Sequence, residues 1–196
     1  MELEKEIRFS ISKAQIEKIK EITMPYKERM EMLDITCGYE GFDSYSKYGF
    51  ICRVRQKGDK KTLEVKNYKK QNECIEQSIK LDRVVDGVNY LKLIGMKPYL
   101  YLKRFREVRL YKNLKIFIDE FDIIGDFVEI EYQDSKNAKV ELEEFIKSIG
   151  IEGAKPQDMY GGIVKEKLEN DLQFRELFKI NLKRILIREI RNMKIK

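Results

Sequence analysis

The 196-residue chain contains no histidine, only three cysteines and three prolines, and no apolar run approaching the roughly 20 residues that cross a bilayer. Without histidine, His-based triads and most zinc sites are excluded. Cys37, Cys52 and Cys74 are odd in number, far apart and without CxxC spacing, so neither a disulfide framework nor a zinc site is indicated. Catalysis would fall to carboxylates, Lys, Arg, Tyr or a metal-bound water. Pro25, Pro98 and Pro156 are the only proline punctuation, and there is no repeat, Ser/Gly-rich linker or low-complexity block. A single folded unit, or one with an appended helix, is expected. Met1 to Glu6 is acidic and alternating where a secretory signal needs a basic start and an apolar run. A cytoplasmic protein without a membrane span is therefore expected.

Charge is what the chain has in quantity. Forty basic residues stand against 34 acidic ones, for a net of +6, while 42% of residues are hydrophobic. The excess favours an anionic partner without choosing between nucleic acid and a small polyphosphate.

Period-two segments dominate the order of elements. They run over Leu3 to Ser10, Gly49 to Gln56, Thr62 to Tyr68, Glu73 to Leu81, Tyr99 to Tyr111, Leu114 to Phe121 and Phe127 to Tyr132, with a shorter candidate from Met32 to Cys37. Between them, Ser12 is placed to cap a helix carrying Ile16, Ile19 and Ile22. Asp82 or Asp86 is placed to open another carrying Val84, Val88, Leu91 and Ile94, stopped by Gly95. Ser135 to Ile149 is a third, and the tail from Asn170 reads as one or two terminal helices. The class is α+β with mainly antiparallel strands.

Residues two apart on a strand share a face. Glu4, Glu6 and Arg8 therefore line up opposite Ile7 and Phe9; Arg53 and Arg55 oppose Cys52 and Val54; Glu64 and Lys66 oppose Leu63 and Val65; Glu129 and Glu131 oppose Val128 and Ile130. On any one strand this is an ordinary solvated face. The strands segregate by sign, however, with acidic pairs at Glu4/Glu6 and Glu129/Glu131 and basic pairs at Arg53/Arg55 and Arg104/Arg106. If such faces converged inside a barrel of about eight strands, which holds a small ligand, the carboxylates would repel and need a cation between them. Oxygen donors alone suit Mg²⁺ or Mn²⁺, and Arg and Lys suit phosphate oxygens.

Glu4-Lys5-Glu6-Ile7-Arg8 resembles the ExExK signature of the CYTH, or triphosphate tunnel metalloenzyme, superfamily, with Arg8 where the family usually has Lys. Arg53-Val54-Arg55 resembles its RxR strand, Lys66 the lysine of the next strand, and Arg104-Phe105-Arg106 the later KxR segment, with Arg104 or Lys103 in the lysine position. Ile118-Asp119-Glu120-Phe121, followed by Gly125 to Glu131, resembles the LDxVxGLGxFxEIE stretch. The resemblance covers roughly Glu2 to Gly162. It implies an eight-stranded antiparallel β-barrel (the triphosphate tunnel) with flanking and C-terminal helices. The tunnel domain would span 1–168, and a helical extension, 169–196, would pack on the barrel or on a partner. Implied metal ligands are Glu4, Glu6, Glu76, Asp119, Glu129 and Glu131, with Glu4, Glu6, Glu129 and Glu131 catalytic. Implied substrate ligands are Arg8, Arg53, Arg55, Lys66, Arg104 and Arg106.

The expected function is Mg²⁺- or Mn²⁺-dependent hydrolysis of tripolyphosphate, a nucleoside triphosphate or thiamine triphosphate. The alternatives are a class IV adenylate cyclase and a non-enzymatic module binding polyphosphate or RNA. Hydrolysis comes first because no residue specifies adenine; Tyr39 to Tyr48 lacks the DTP-like element of relatives. The expected partner is a small triphosphate rather than nucleic acid, and a homodimer stays open. Tyr39, Phe42, Tyr45 and Tyr48 form an aromatic cluster read as loop packing rather than a base-stacking platform. Lys57 to Lys61 reads as a hairpin turn around Gly58-Asp59. The basic terminal helix, with Arg175, Lys179, Lys183, Arg184, Arg188 and Arg191, is read as packing on the barrel or a partner before a membrane or RNA surface.

Overall fold

The computed structural model describes residues 4–70, 73–133, 135–157 and 159–191, without the side chains of residues 4, 68–70, 73–74 and 189–191. Eight strands are β1 (Glu4–Ser10), β2 (Met24–Gly38), β3 (Phe50–Lys57), β4 (Lys60–Lys70), β5 (Glu73–Leu81), β6 (Lys97–Tyr111), β7 (Leu114–Phe121) and β8 (Gly125–Gln133). Six helices are α1 (Lys13–Ile22), α2 (Ser44–Tyr48), α3 (Val84–Leu93), α4 (Lys136–Ser148), α5 (Tyr160–Asn170) and α6 (Leu172–Arg191), among the described residues. The strands form one sheet in the order β1-β8-β7-β6-β2-β3-β4-β5. The expected α+β class and eight antiparallel strands are borne out.

The chain divides into two compact units, residues 1–31 with 103–158 and residues 32–102 with 159–196. In the first, α1 and α4 lie on the apolar face of the β1-β8-β7 ladder. Phe9, Ile116, Ile118, Val128 and Ile130 from the strands meet Ile16, Ile19, Leu142 and Phe145 from the helices. Ser12 starts α1 with the expected cap: its backbone N–H donates to Gln15 Oε1 at 2.7 Å, and Gln15 N–H donates to Ser12 Oγ at 3.3 Å. The other end of α1 is closed from the sheet. Buried Arg109 donates to Lys20 O at 2.9 Å, Thr23 O at 2.8 Å and Thr23 Oγ1 at 2.6 Å, satisfying acceptors a helix end leaves open.

In the second unit α3 covers the apolar face of β2, β3 and β5. Val84, Val88 and Leu91 pack on Ile35, Cys37, Cys52, Val54 and Leu81. The helix rides close: a Cβ at Gly87 would stand 2.6 Å from Leu81 and 2.8 Å from Val54. α6 adds Ile185 and Leu186 to this core.

Four details differ from expectation. β2 begins at Met24 rather than Met32, because its first residues are exposed on both faces and show no alternation. α3 opens at Arg83, and Asp86 sits in the first turn accepting from Arg83 at 2.7 and 3.0 Å. The aromatic segment expected as loop folds into a 3-10 turn, Gly41–Asp43, and α2. The tail from Asn170 holds the expected terminal helix, α6, but a further helix, α5, precedes it from Tyr160; the two part at Asp171, whose carboxylate accepts from Phe174 N–H at 2.9 Å. Leu3, the expected start of β1, lies outside the described residues.

Candidate functional site

Alternation turns one face of each unit polar. In the first unit the register sets Arg8 opposite Glu129, Glu6 opposite Glu131, Lys115 opposite Glu131 and Arg106 opposite Asp119. Arg8 bridges two carboxylates, donating through Nε to Glu129 at 2.6 Å and through Nη2 to Glu6. Arg106 does the same from the other side, gripping Asp119 through Nε at 2.6 Å and through Nη2, and reaching Glu129 at 3.2 Å. Arg104 approaches Asp119 at 3.3 Å, and Lys115 pairs with Glu131 at 2.9 Å. Phe117 fills the floor, 4.5 Å from the Arg106 guanidinium and 5.2 Å from the Lys115 ammonium.

Asp119 is wholly buried and the Glu129 side chain 7% exposed. Burial pushes the Glu129 carboxyl up, but the guanidiniums of Arg106, Arg8 and Arg104 outweigh it and hold the group below the ordinary carboxylate range. Lys103 goes to the other face and pairs with Glu31 at 2.5 Å, which leaves Arg104, not Lys103, on the charged face. Glu4 stands on β1 opposite Gln133, and its side chain lies outside the described residues.

The second unit repeats the arrangement. Arg55 grips Asp34 with two bonds, at 2.7 and 2.9 Å. Arg53 donates to Glu64 at 2.5 Å, and Lys66 pairs with Glu76 at 2.7 Å. Burial raises the Glu76 carboxyl, and Lys66, with Arg53 and Arg55 behind it, brings it below its usual value. Thus Arg53, Arg55, Lys66 and Glu76 share one charged face, and Arg8, Arg104, Arg106, Asp119, Glu129, Glu131 and Glu6 share the other.

Three residues outside the expected set belong to these faces: Asp34, Glu64 and Lys115. Asp34 alternates with Leu33 and Ile35, and Glu64 with Leu63 and Val65, so the period-two signal was available for both. Lys115 carries the same signal on β7, two residues before Phe117 and four before Asp119.

Among the described residues no three acidic or cysteine side chains converge to hold a metal ion; each described carboxylate of the expected set is instead paired with Arg or Lys. The donor set is nonetheless all carboxylate oxygen, which fits Mg²⁺ or Mn²⁺. The thiols do not compete for this role: Cys37 and Cys52 face each other across β2 and β3, and burial pushes Cys37 up to about 12. Cys74 has its side chain outside the described residues. Within the aromatic cluster Tyr39 and Tyr48 pack edge to face at 5.6 Å, while Phe42 packs edge to face on Tyr99 of β6 at 5.0 Å.

The chain belongs to the CYTH family, whose domain pattern matches residues 2–158. Membership implies use of a divalent metal. Among solved structures, a conserved hypothetical protein from Pyrococcus furiosus is 20% identical over 82% of this chain and 99% of its own, with a TM-score of 0.67. An adenylate cyclase-like protein from Vibrio parahaemolyticus is 16% identical, covering 84% of this chain and 98% of its own, with a TM-score of 0.64. An adenylyl cyclase-like protein from Hippeastrum, for which a dominant triphosphatase activity is reported, is 17% identical over 79% and 92%, with a TM-score of 0.55. At these identities the likenesses establish the fold alone. No curated protein sequence matches the chain.

Proposed function

We propose that the chain is a metal-dependent triphosphatase, cleaving tripolyphosphate, a nucleoside triphosphate or thiamine triphosphate to orthophosphate and the diphosphate. The observation that carries this reading is the ladder Arg8–Glu129–Arg106, in which two guanidinium forks hold one buried carboxylate. A phosphate offers the same paired oxygens with more charge, so it replaces the carboxylate on each fork without reshaping it. Arg8, Arg104 and Arg106, with Arg53, Arg55 and Lys66, are the phosphate ligands in this proposal. Asp34 and Glu64 hold Arg55 and Arg53 in place until then.

Carboxylates released from their guanidiniums are free to take a cation. Glu4, Glu6, Glu76, Asp119, Glu129 and Glu131 are the proposed ligands, with Glu4, Glu6, Glu129 and Glu131 forming the catalytic set. When bound, Mg²⁺ or Mn²⁺ supplies charge neutralisation on the phosphate oxygens and lowers the pKa of a water. The protein's own contribution is to fix the phosphates for in-line attack and to offset their developing charge. The Hippeastrum relative's triphosphatase activity supports this choice; the Vibrio relative's description supports a cyclase as the second reading.

Phosphorus NMR of the protein with tripolyphosphate and with ATP, each with Mg²⁺ and then Mn²⁺, tests it. Orthophosphate with pyrophosphate or ADP is expected. A cyclic phosphodiester with pyrophosphate from ATP would make the chain a cyclase. Silence with both, and with thiamine triphosphate, would leave a non-enzymatic polyphosphate binder.

A further inference from the structure

Residues 172–196 hold eight of the chain's Lys and Arg and two of its Asp and Glu, a net of +6 that equals the charge of the whole chain. Everything before Leu172 is neutral as a set. α6 fills most of this segment, and one side of it turns into the second unit: Phe178 stacks on Tyr101 with ring centres 4.8 Å apart, and Ile185 and Leu186 join the α3 core.

The opposite side is not an ordinary solvated face. Leu177, Ile180 and Ile187 are 55%, 44% and 38% exposed, and their spacings of three and seven residues set them on one stripe. Lys179, Lys183, Arg184 and Arg188, all exposed, flank that stripe, and Glu176 on the same side is paired with Lys179 at 3.1 Å. A second copy docked on this face would bring the same four cations together. An RNA backbone would meet the cations but leave Ile180 and Ile187 without apolar partners. Anionic lipid headgroups with acyl chains just beneath satisfy both, the cations reaching up to phosphate as the apolar residues sink.

We propose that the outward face of α6 docks the protein in plane on an anionic bilayer surface. No helix among the described residues is long and apolar enough to cross a membrane. This docking is independent of the triphosphatase reading.

Flotation of the full chain with phosphatidylcholine vesicles, with and without phosphatidylglycerol, tests it. The protein is expected to float only with the anionic vesicles. Lys183→Glu with Arg184→Glu is expected to weaken partition about 25-fold or more, since each cation near such a surface contributes about 1 kcal/mol, or about fivefold. Ile180→Gln with Ile187→Gln, which leaves the charge unchanged, is expected to weaken it as well. These side chains are exposed, and circular dichroism confirms that the variants are folded. No binding to anionic vesicles, equal binding to neutral ones, or an unchanged partition for either double variant would overturn the proposal. So would tighter binding to an RNA oligonucleotide, or a dimer in solution that the isoleucine substitutions dissociate.

Discussion

Replacing Glu129 by Gln removes one negative charge from the most crowded point of the first unit's polar face. The carboxylate is 7% exposed and accepts from Arg8 at 2.6 Å and Arg106 at 3.2 Å. Removing one partner of a buried ion pair costs about 3–5 kcal/mol, because the surviving charge is left without compensation. The amide oxygen of Gln keeps one acceptor for Arg8, which brings the expected loss to about 2–3 kcal/mol. A domain of this size loses about 2–4 °C of Tm per kcal/mol, so Tm is expected to fall by about 4–12 °C. The deficit is specifically one of negative charge beside two guanidiniums, and tripolyphosphate, as the proposed ligand, would supply it. In EDTA, the ligand should therefore raise the Tm of Glu129→Gln at least as much as that of the unaltered protein. Thermal unfolding followed by circular dichroism, with and without tripolyphosphate, reads both effects. An unchanged Tm, or a variant indifferent to a ligand that stabilises the parent, would refute the reasoning.

Acid should weaken the fold in a defined window. Glu129, Glu120 and Glu76 all titrate below the ordinary carboxylate value when folded, so their stabilisation is complete above the unfolded value of about 4.3 and is lost as pH falls through the lower folded values. Urea midpoints should be level from neutral pH to about 5 and drop below about 4.3, less steeply in Glu129→Gln. Gly87→Ala drives a methyl against Leu81 and Val54 and should cost about 1–3 kcal/mol in urea unfolding. Arg109→Met removes the donors that close α1 and should cost about 3 kcal/mol, with faster amide exchange in the last turn of that helix.

Both polar faces were legible residue by residue, because period-two alternation needs only local sequence. Arg8, Arg53, Arg55, Arg106, Glu129 and Glu131 all sit where that alternation sets them. What alternation cannot give is which strand lies beside which. The acidic pair on β8 looked like a set of repelling carboxylates in need of a metal. In the fold, β1 and β7 flank β8, so Arg8 and Lys115 arrive from strands more than 100 residues before and a short hairpin away. The first half of β2 was invisible for the opposite reason: exposed on both faces, it has no alternation to read. Asp34 and Glu64 were readable but lay outside the motif, and their role emerges only when Arg55 and Arg53 are seen to grip them.

The measurement closest to the central claim is phosphate release from tripolyphosphate in Mn²⁺ and in Mg²⁺ by the unaltered chain, Glu131→Gln and Arg53→Ala. The two variants separate charge handling during the reaction from ground-state binding. Metal-dependent turnover is expected for the parent, with kcat lost in Glu131→Gln and chiefly KM raised in Arg53→Ala. Turnover that survives EDTA, or that neither substitution alters, would contradict the account.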